Sequence, residues 1–335
     1  MATMKDVARL SGASISTVSR VINKSGYVNK ETEDRVLAAI KKLNYSPNHA
    51  ARSLLSGETQ TIGLILPDIT NPFFPAIARA IEDTAQKDKY NVIFCNSDND
   101  ILKVSKHFKS LKEKSVDGII IAGEIKQNHI HEFIEDNLPL VMIDVNTDSI
   151  PVSSVRTDNR FGGKLATDHL IEQGYTRIAH IRGPLDSSSA EDRYKGFKDS
   201  LEQHHINYDP TLIQIGDFRI ESGYNAMLRL LALSDRPDAV FVSNDLMALG
   251  AMEAASEANL HIPTQVGIIG YDDIPLTKVV NPKLSTIQQP IYELGIRATE
   301  FLLKTIGKNK GDNHYFTEVM KPLLIVRETT TREKR

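Results

Sequence analysis

From Thr61 onward, short apolar runs alternate with stretches whose apolar residues recur every three or four positions. The runs Thr61–Leu66, Asn91–Cys95, Gly118–Ala122, Leu140–Val145, Ile178–Ile181, Leu212–Ile215, Ala239–Val242 and Val266–Ile269 are nearly continuous in apolar character. Such runs predict strands covered on both faces, because a strand with one wet face alternates apolar and polar residues. Between them the spacing predicts helices, among them 76–87, 162–173, 193–204, 221–233 and 245–258. Strand and helix in strict alternation predict parallel sheets with helical crossovers on both sides. Two doubly wound lobes accommodate eight or more strands better than one barrel does, although periodicity alone leaves the barrel open.

The first sixty residues follow a different pattern. Met4, Val7 and Ala8 fall at helical spacing, with Asp6 in the first turn, and 11–13 (Ser-Gly-Ala) breaks that helix. Ser14 can cap a second helix in which Val18, Val21 and Ile22 form one face. Its leading surface shows Ile15, Ser16, Thr17, Ser19 and Arg20. Asn29 caps a third helix over 30–43, with Val36, Ile40 and Leu43 inward. Two short helices across a tight glycine-containing turn predict a helix-turn-helix, which offers the start of its second helix to base edges in the major groove. A protein-binding three-helix bundle is the alternative. Small polar side chains with a single arginine suit a groove better than they suit an apolar interface.

Residues 46–57 link the two parts. Ser46 suits an N-cap, Pro47 the first helical position and Gly57 a stop, with Leu54-Leu55 close to Arg52. An isolated helix below ~12 residues is marginal in water, so this one is expected to form only when something else holds it.

Charge sharpens the division. Residues 1–60 hold nine Lys/Arg against five Asp/Glu, whereas the rest holds 31 against 38. A basic end on an acidic body points to nucleic acid. Cys95 is the sole cysteine, so no disulfide framework or cysteine zinc site is expected. The pairs His204-His205 and His129/His131 lack further ligands at zinc spacing, and no metal or cofactor is expected. Phosphate-binding loops and the G-x-S-x-G nucleophile turn are absent from the sequence, so an enzyme is not expected. No apolar run approaches the ~18 residues of a membrane span and no basic-then-apolar leader opens the chain, so a cytoplasmic protein is expected.

The stretch Met4-Lys5-Asp6-Val7-Ala8, then Gly12, then Ser16-Thr17-Val18-Ser19-Arg20-Val21-Ile22-Asn23, followed by Leu43-Asn44-Tyr45-Ser46-Pro47-Asn48, resembles the LacI/GalR family of bacterial transcription regulators. The resemblance continues through nearly the whole chain. It implies a helix-turn-helix over 1–45, a hinge helix over 46–58 and an α/β body over 59–335 with the fold of periplasmic sugar-binding proteins. Within the body it implies one lobe over about 60–160 and 291–321 and another over about 161–290 and 322–330, the chain crossing three times. Ile15, Ser16 and Arg20 match base-reading positions, and Thr17, Ser19 and Asn23 lie toward phosphates. Thr3, Asn48, His49 and Arg52 join the DNA-contacting set, and Leu54 matches a minor-groove wedge. The implied partners are near-palindromic operator DNA and a second copy of the chain. The tail 328–335 has no leucine heptads, so a dimer is expected rather than a tetramer.

Polar residues cluster where the predicted strands end, which is where open α/β sheets bind ligands. Among them Asn71, Phe73, Phe74, Asp144, Arg193, Phe218, Asn244, Asp272 and Gln289 are similar to the pocket of ribose-binding proteins. Asp158 matches a ligand position in several sugar-responsive repressors. Val145 departs from the pattern, since those proteins have an arginine there. The resemblance is strongest to ribose operon repressors. A catabolite-control regulator with a phosphorylated carrier protein as corepressor, or a purine-responsive repressor, is the alternative.

Overall fold

The computed structural model describes residues 2–45, 58–123, 125, 127–136, 138–145, 147, 150–306 and 315–332. It separates into two compact units, 1–60 and 61–335.

In the first unit, α1 (Met4–Ser11) opens on a capping box. The Thr3 hydroxyl accepts from the Asp6 amide, and the Asp6 carboxylate accepts from the Thr3 amide in return. Gly12, at φ +66°, takes the left-handed conformation that stops α1. Ser14 then caps α2 (Ile15–Asn23), and Asn29 caps α3 (Lys30–Lys42). Val7, Ala8, Val18, Val21, Val36 and Ala39 meet in one small core, with Ile22, Ile40, Leu43 and Tyr45 packed on its edge.

The second unit is built on two six-stranded sheets. The first lobe comprises β1 (Thr61–Leu66), α4 (Phe73–Lys87), β2 (Asn91–Asn96), α5 (Ile101–Glu113), β3 (Gly118–Ala122), α6 (Gln127–Glu135), β4 (Leu140–Ile143) and β5 (Ser153–Thr157). The chain then enters the second lobe through α7 (Asn159–Glu172). That lobe continues with β6 (Ile178–Arg182), α8 (Ser188–Gln203), β7 (Ile213–Ile215), α9 (Ile220–Leu231), β8 (Ala239–Val242), α10 (Asp245–Glu257), β9 (Gly267–Asp272) and β10 (Ser285–Gln288). α11 (Ile291–Thr305) and β11 (Thr317–Met320) return to the first lobe, and β12 (Leu323–Ile325) ends in the second. The chain therefore crosses three times.

Strand order is β11-β5-β4-β3-β1-β2 in one sheet and β12-β10-β9-β8-β6-β7 in the other. Pairing is parallel throughout except at the edge, where β12 runs antiparallel to β10. The central strands of both sheets are buried on both faces, whereas the edge strands β2 and β7, expected to be covered likewise, are only partly so, leaving Phe94 and Ile215 exposed. Ile62, Leu64 and Leu66 pack with α4 and α11, while Ile65 joins Ile119, Ile121 and Phe108 on the other side. The expected both-face burial of β1 is what the lobe core uses.

Helix pairs in the second lobe cross very closely. A Cβ on Gly163 would lie 2.1 Å from the Arg193 carbonyl oxygen, and one on Gly196 would lie 2.0 Å from that of Arg160. Only glycine permits α7 and α8 to meet backbone to backbone. The same reciprocal pair recurs between α9 and α10, where Gly223 and Gly250 face the carbonyl oxygens of Met247 and Ile220, each at 2.0 Å. No helix among the described residues is long and apolar enough to cross a membrane.

Candidate functional site

The α2 surface carries the expected groove-facing residues. Ile15 is 46% exposed, Ser16, Arg20 and Asn23 are exposed, and Thr17 and Ser19 are half-buried. Hydroxyls at the head of α2 share one local network, Ser14 Oγ lying 2.7 Å from Ser16 Oγ and 2.8 Å from Thr17 Oγ1. Asn23 donates to Ser19 Oγ at 3.3 Å. Among the described residues no carboxylate forms an ion pair with Arg20. Thr3 is the cap of α1, its hydroxyl donating to Asp6 at 2.7 Å. Asn48, His49, Arg52 and Leu54 lie outside the described residues.

In the body, one cavity of about 390 Å³ lies between the lobes. Its walls come from the carboxyl ends of β1 to β4 in the first lobe and β6 to β10 in the second, and they include the neighbours β1/β3 and β6/β8. These neighbours mark the points in each sheet where strand order reverses. Nine of the ten expected effector residues line it: Asn71, Phe73, Phe74, Asp144, Arg193, Phe218, Asn244, Asp272 and Gln289.

The tenth, Asp158, does not. Its carboxylate caps α7, accepting from the Phe161 amide at 3.0 Å. The helix N-terminus takes this carboxylate because capping satisfies an otherwise orphaned donor. Val145, where the resemblance led an arginine to be expected, is 3% exposed and packs in the first-lobe core.

Several lining side chains are held by the protein's own hydrogen bonds. Arg193 is 3% exposed, its Nε donating to Asn159 at 2.8 Å and its Nη1 to the Ser243 carbonyl at 2.5 Å. Its guanidinium lies 3.9 Å from the centre of the Tyr271 ring, within cation–π range. Gln289 Nε2 donates to Asp272 Oδ1 at 2.7 Å, and Gln289 Oε1 accepts from Thr157 at 2.6 Å. Asn244 caps α10 and donates to the Phe218 carbonyl at 3.0 Å. Phe73 and Phe74 stand edge to face, with ring centres 5.0 Å apart.

Strain concentrates here as well. Asp144 (φ +61°), Phe218 (φ +68°) and Asp272 (φ +119°) all occupy the region that disfavours a side chain. Phe218 keeps its position because Gly183 leaves room: a Cβ there would meet the Phe218 ring at 2.3 Å.

Burial pushes the Asp272 carboxyl up to about 7, against the opposing pull of Arg193 and Gln289, and Asp144 adds to the rise. Beneath it Asp245 is fully buried, bonded by Thr286 Oγ1 at 2.6 Å and the Ile274 amide at 2.9 Å. Its carboxyl is also driven well upward, by burial first and Asp272 second. Carboxylates, amides and one buried arginine beside aromatic rings can hold a small polyhydroxylated ring.

Sequence reasoning passed over Asn99, Ser187, Ser189, Arg219 and Glu221, which also line the cavity. They too follow strands β2, β6 and β7, so the strand-end rule would have reached them. Among the described residues no group of three or more His, Cys, Asp or Glu is placed to hold a metal ion.

Known proteins show the same two parts. Residues 3–48 match the bacterial regulatory proteins of the lacI family, and residues 167–330 match a periplasmic binding protein-like domain. The ribose operon repressor of Halalkalibacterium halodurans is 44% identical, covering 98% of this chain and 97% of its own. The HTH-type transcriptional repressor PurR of Haemophilus influenzae is 40% identical, covering 98% of each. Among solved structures, the lac repressor dimer bound to operator and the anti-inducer ONPF has a TM-score of 0.91 at 29% identity over 99% of both chains. A LacI family regulator of Enterococcus faecium with bound ribose has a TM-score of 0.73 at 32% identity, over 82% of this chain and 100% of that one.

Proposed function

The chain belongs to the LacI family of bacterial regulatory proteins, and from that premise we propose a homodimeric repressor of a sugar-utilisation operon whose grip on operator DNA is set by ribose. The observation that carries the reading is the cavity between the lobes. Its buried carboxylates, amides and Arg193 match a ring of hydroxyls, and its phenyl rings match the ring's apolar faces. The ribose operon repressor relative and the ribose-bound regulator support this choice of sugar.

Each protomer reads half of a near-palindromic operator, a symmetry the operator-bound lac repressor dimer supports. Ile15, Ser16 and Arg20 read bases, and Thr3, Thr17, Ser19 and Asn23 lie toward the backbone. The segment 46–57 forms its helix on the operator beside its dimer mate, with Asn48, His49 and Arg52 at the DNA and Leu54 opening the central step. Ribose favours a lobe arrangement in which the two segments no longer pair, and the operator is released. That coupling requires ribose to bind the two arrangements with different affinity. The protein is a regulator without catalysis.

A purine effector is the second reading, supported by the PurR relative and by rings that could stack on a base. Calorimetry against ribose, other pentoses, hexoses and purines separates the readings. Ribose binding that weakens operator affinity is the expected result. Purine binding that strengthens it would replace the sugar reading.

A further inference from the structure

Asn159 is the first residue of α7, just past the crossing from β5 into the second lobe. It is 5% exposed and does not line the cavity. Both ends of its amide are engaged. Nδ2 donates to Asp144 Oδ1 at 3.1 Å and to the Thr157 carbonyl at 3.3 Å, while Oδ1 accepts from Arg193 Nε at 2.8 Å. Asp144 belongs to the first lobe and Arg193 to the second, and both line the cavity. A carboxylate and a guanidinium this close in a buried place attract strongly, and a direct pair would point both inward at each other. The neutral amide stands between them instead. Gln289, at the second crossing, links Thr157 of the first lobe to Asp272 of the second by the same acceptor-and-donor use of an amide.

We infer that Asn159 is a positioning residue for the effector: its amide spaces Asp144 from Arg193 and aims both at the ligand across the lobe boundary. This rests on the reading of the cavity as a site for a hydroxyl-bearing ligand. The position demands one donor toward Asp144 and one acceptor toward Arg193. An amide supplies both, and so does a protonated carboxyl, whereas an ionised carboxylate has no donor and repels Asp144. Arg193 and Asp144 are the charged groups bonded to the amide, with Tyr271 and Asp272 next around Arg193.

The test is calorimetric titration of the full chain with ribose across pH, each variant divided by wild type at the same pH. Asn159→Ala is expected to weaken ribose about tenfold or more at every pH, with sugar-free operator binding unchanged. Asn159→Asp is expected to be equally weak near pH 8 and to recover most of the loss by about pH 5.5, as the new carboxyl takes up a proton. A merely structural role predicts no such recovery, and Asn159→Asp keeps the test open should the alanine variant not fold. Unchanged ribose affinity in Asn159→Ala, or a flat ratio for Asn159→Asp, overturns the inference while leaving the sugar reading standing. A wild type that binds no sugar overturns both.

Discussion

The α2 surface and the cavity between the lobes are both rich in polar groups, yet they are built in opposite ways. On α2 the groups are exposed or half-buried and bonded only to near neighbours of the same short segment. In the cavity Arg193, Asp272, Gln289 and Asn244 are almost wholly buried and bonded between elements far apart in sequence. A surface of the first kind is finished by its partner, because hydrated groups give up water and counterions as they dock. The buried groups of the cavity have exchanged most of their hydration for protein partners on folding. Each group there needs its partners in place beforehand, and removing one strands another. A single deletion should therefore cost more in the cavity than on α2.

Three measurements can break that comparison. The largest expected effect is that of Arg193→Ala, which takes the nearby cation from Asp272 and the hydrogen-bond donor from Asn159. It should remove about 3–5 kcal/mol of ribose binding while sugar-free operator affinity stays near wild type. A retained sugar response in an operator-release assay would move the effector site elsewhere. Next comes Arg20→Ala, expected to cost about 1–3 kcal/mol on the operator and much less on random DNA. Equal losses on both sequences would make Arg20 a phosphate contact.

The smallest effect concerns pH. Because burial pushes the Asp272 carboxyl up to about 7, it is largely neutral below that pH and ionised above. Ribose hydroxyls donate best to the ionised form, so affinity should fall as pH drops through 7, by roughly tenfold between pH 8 and pH 6. Below pH 7 binding should release a proton, visible as a dependence of calorimetric heat on buffer. The linkage to stability has the opposite sign. Between the unfolded value of 3.8 and about 7 the folded state holds more protons, so Asp272 makes the body less stable as pH rises through that window. Heat independent of buffer would remove Asp272 from the ligand's direct contacts.

Much of the fold was legible because apolar periodicity is strong in it. The runs Thr61–Leu66, Gly118–Ala122 and Ala239–Val242 are strands with those same bounds, and Ser14 and Asn29 cap as their positions suggest. The misses have physical causes. β5, Ser-Ser-Val-Arg-Thr, has a single aliphatic residue, yet Ser153, Ser154 and Thr157 are buried. Thr147 and the Phe316 amide satisfy the two serines and Gln289 pairs with Thr157, so hydroxyls replace methyls in that core. α4, α7 and α8 begin three to five residues before their apolar spacing does. Their first turns are Phe73-Phe74-Pro75, Asn159-Arg160-Phe161 and Ser188-Ser189-Ala190, whose residues serve cap, cavity and core together and so break the regular apolar spacing. The same crowding hid the difference between Asp158 and Asn159. Adjacent residues at a helix start point in different directions, and only the fold decides which caps and which bridges.

The reciprocal glycine crossings bear on how new specificities could arise on this scaffold. With α7 bound to α8 and α9 to α10 at backbone contact, the frame that presents Arg193, Phe218 and Asn244 has little freedom to adjust. Loop residues such as Asn71, Asp217 and Arg219 can then be exchanged for others without the frame yielding to them. A library that varies those loops and keeps Gly163, Gly196, Gly223 and Gly250 should yield folded regulators with altered ligands, whereas one that varies the glycines should lose the fold first.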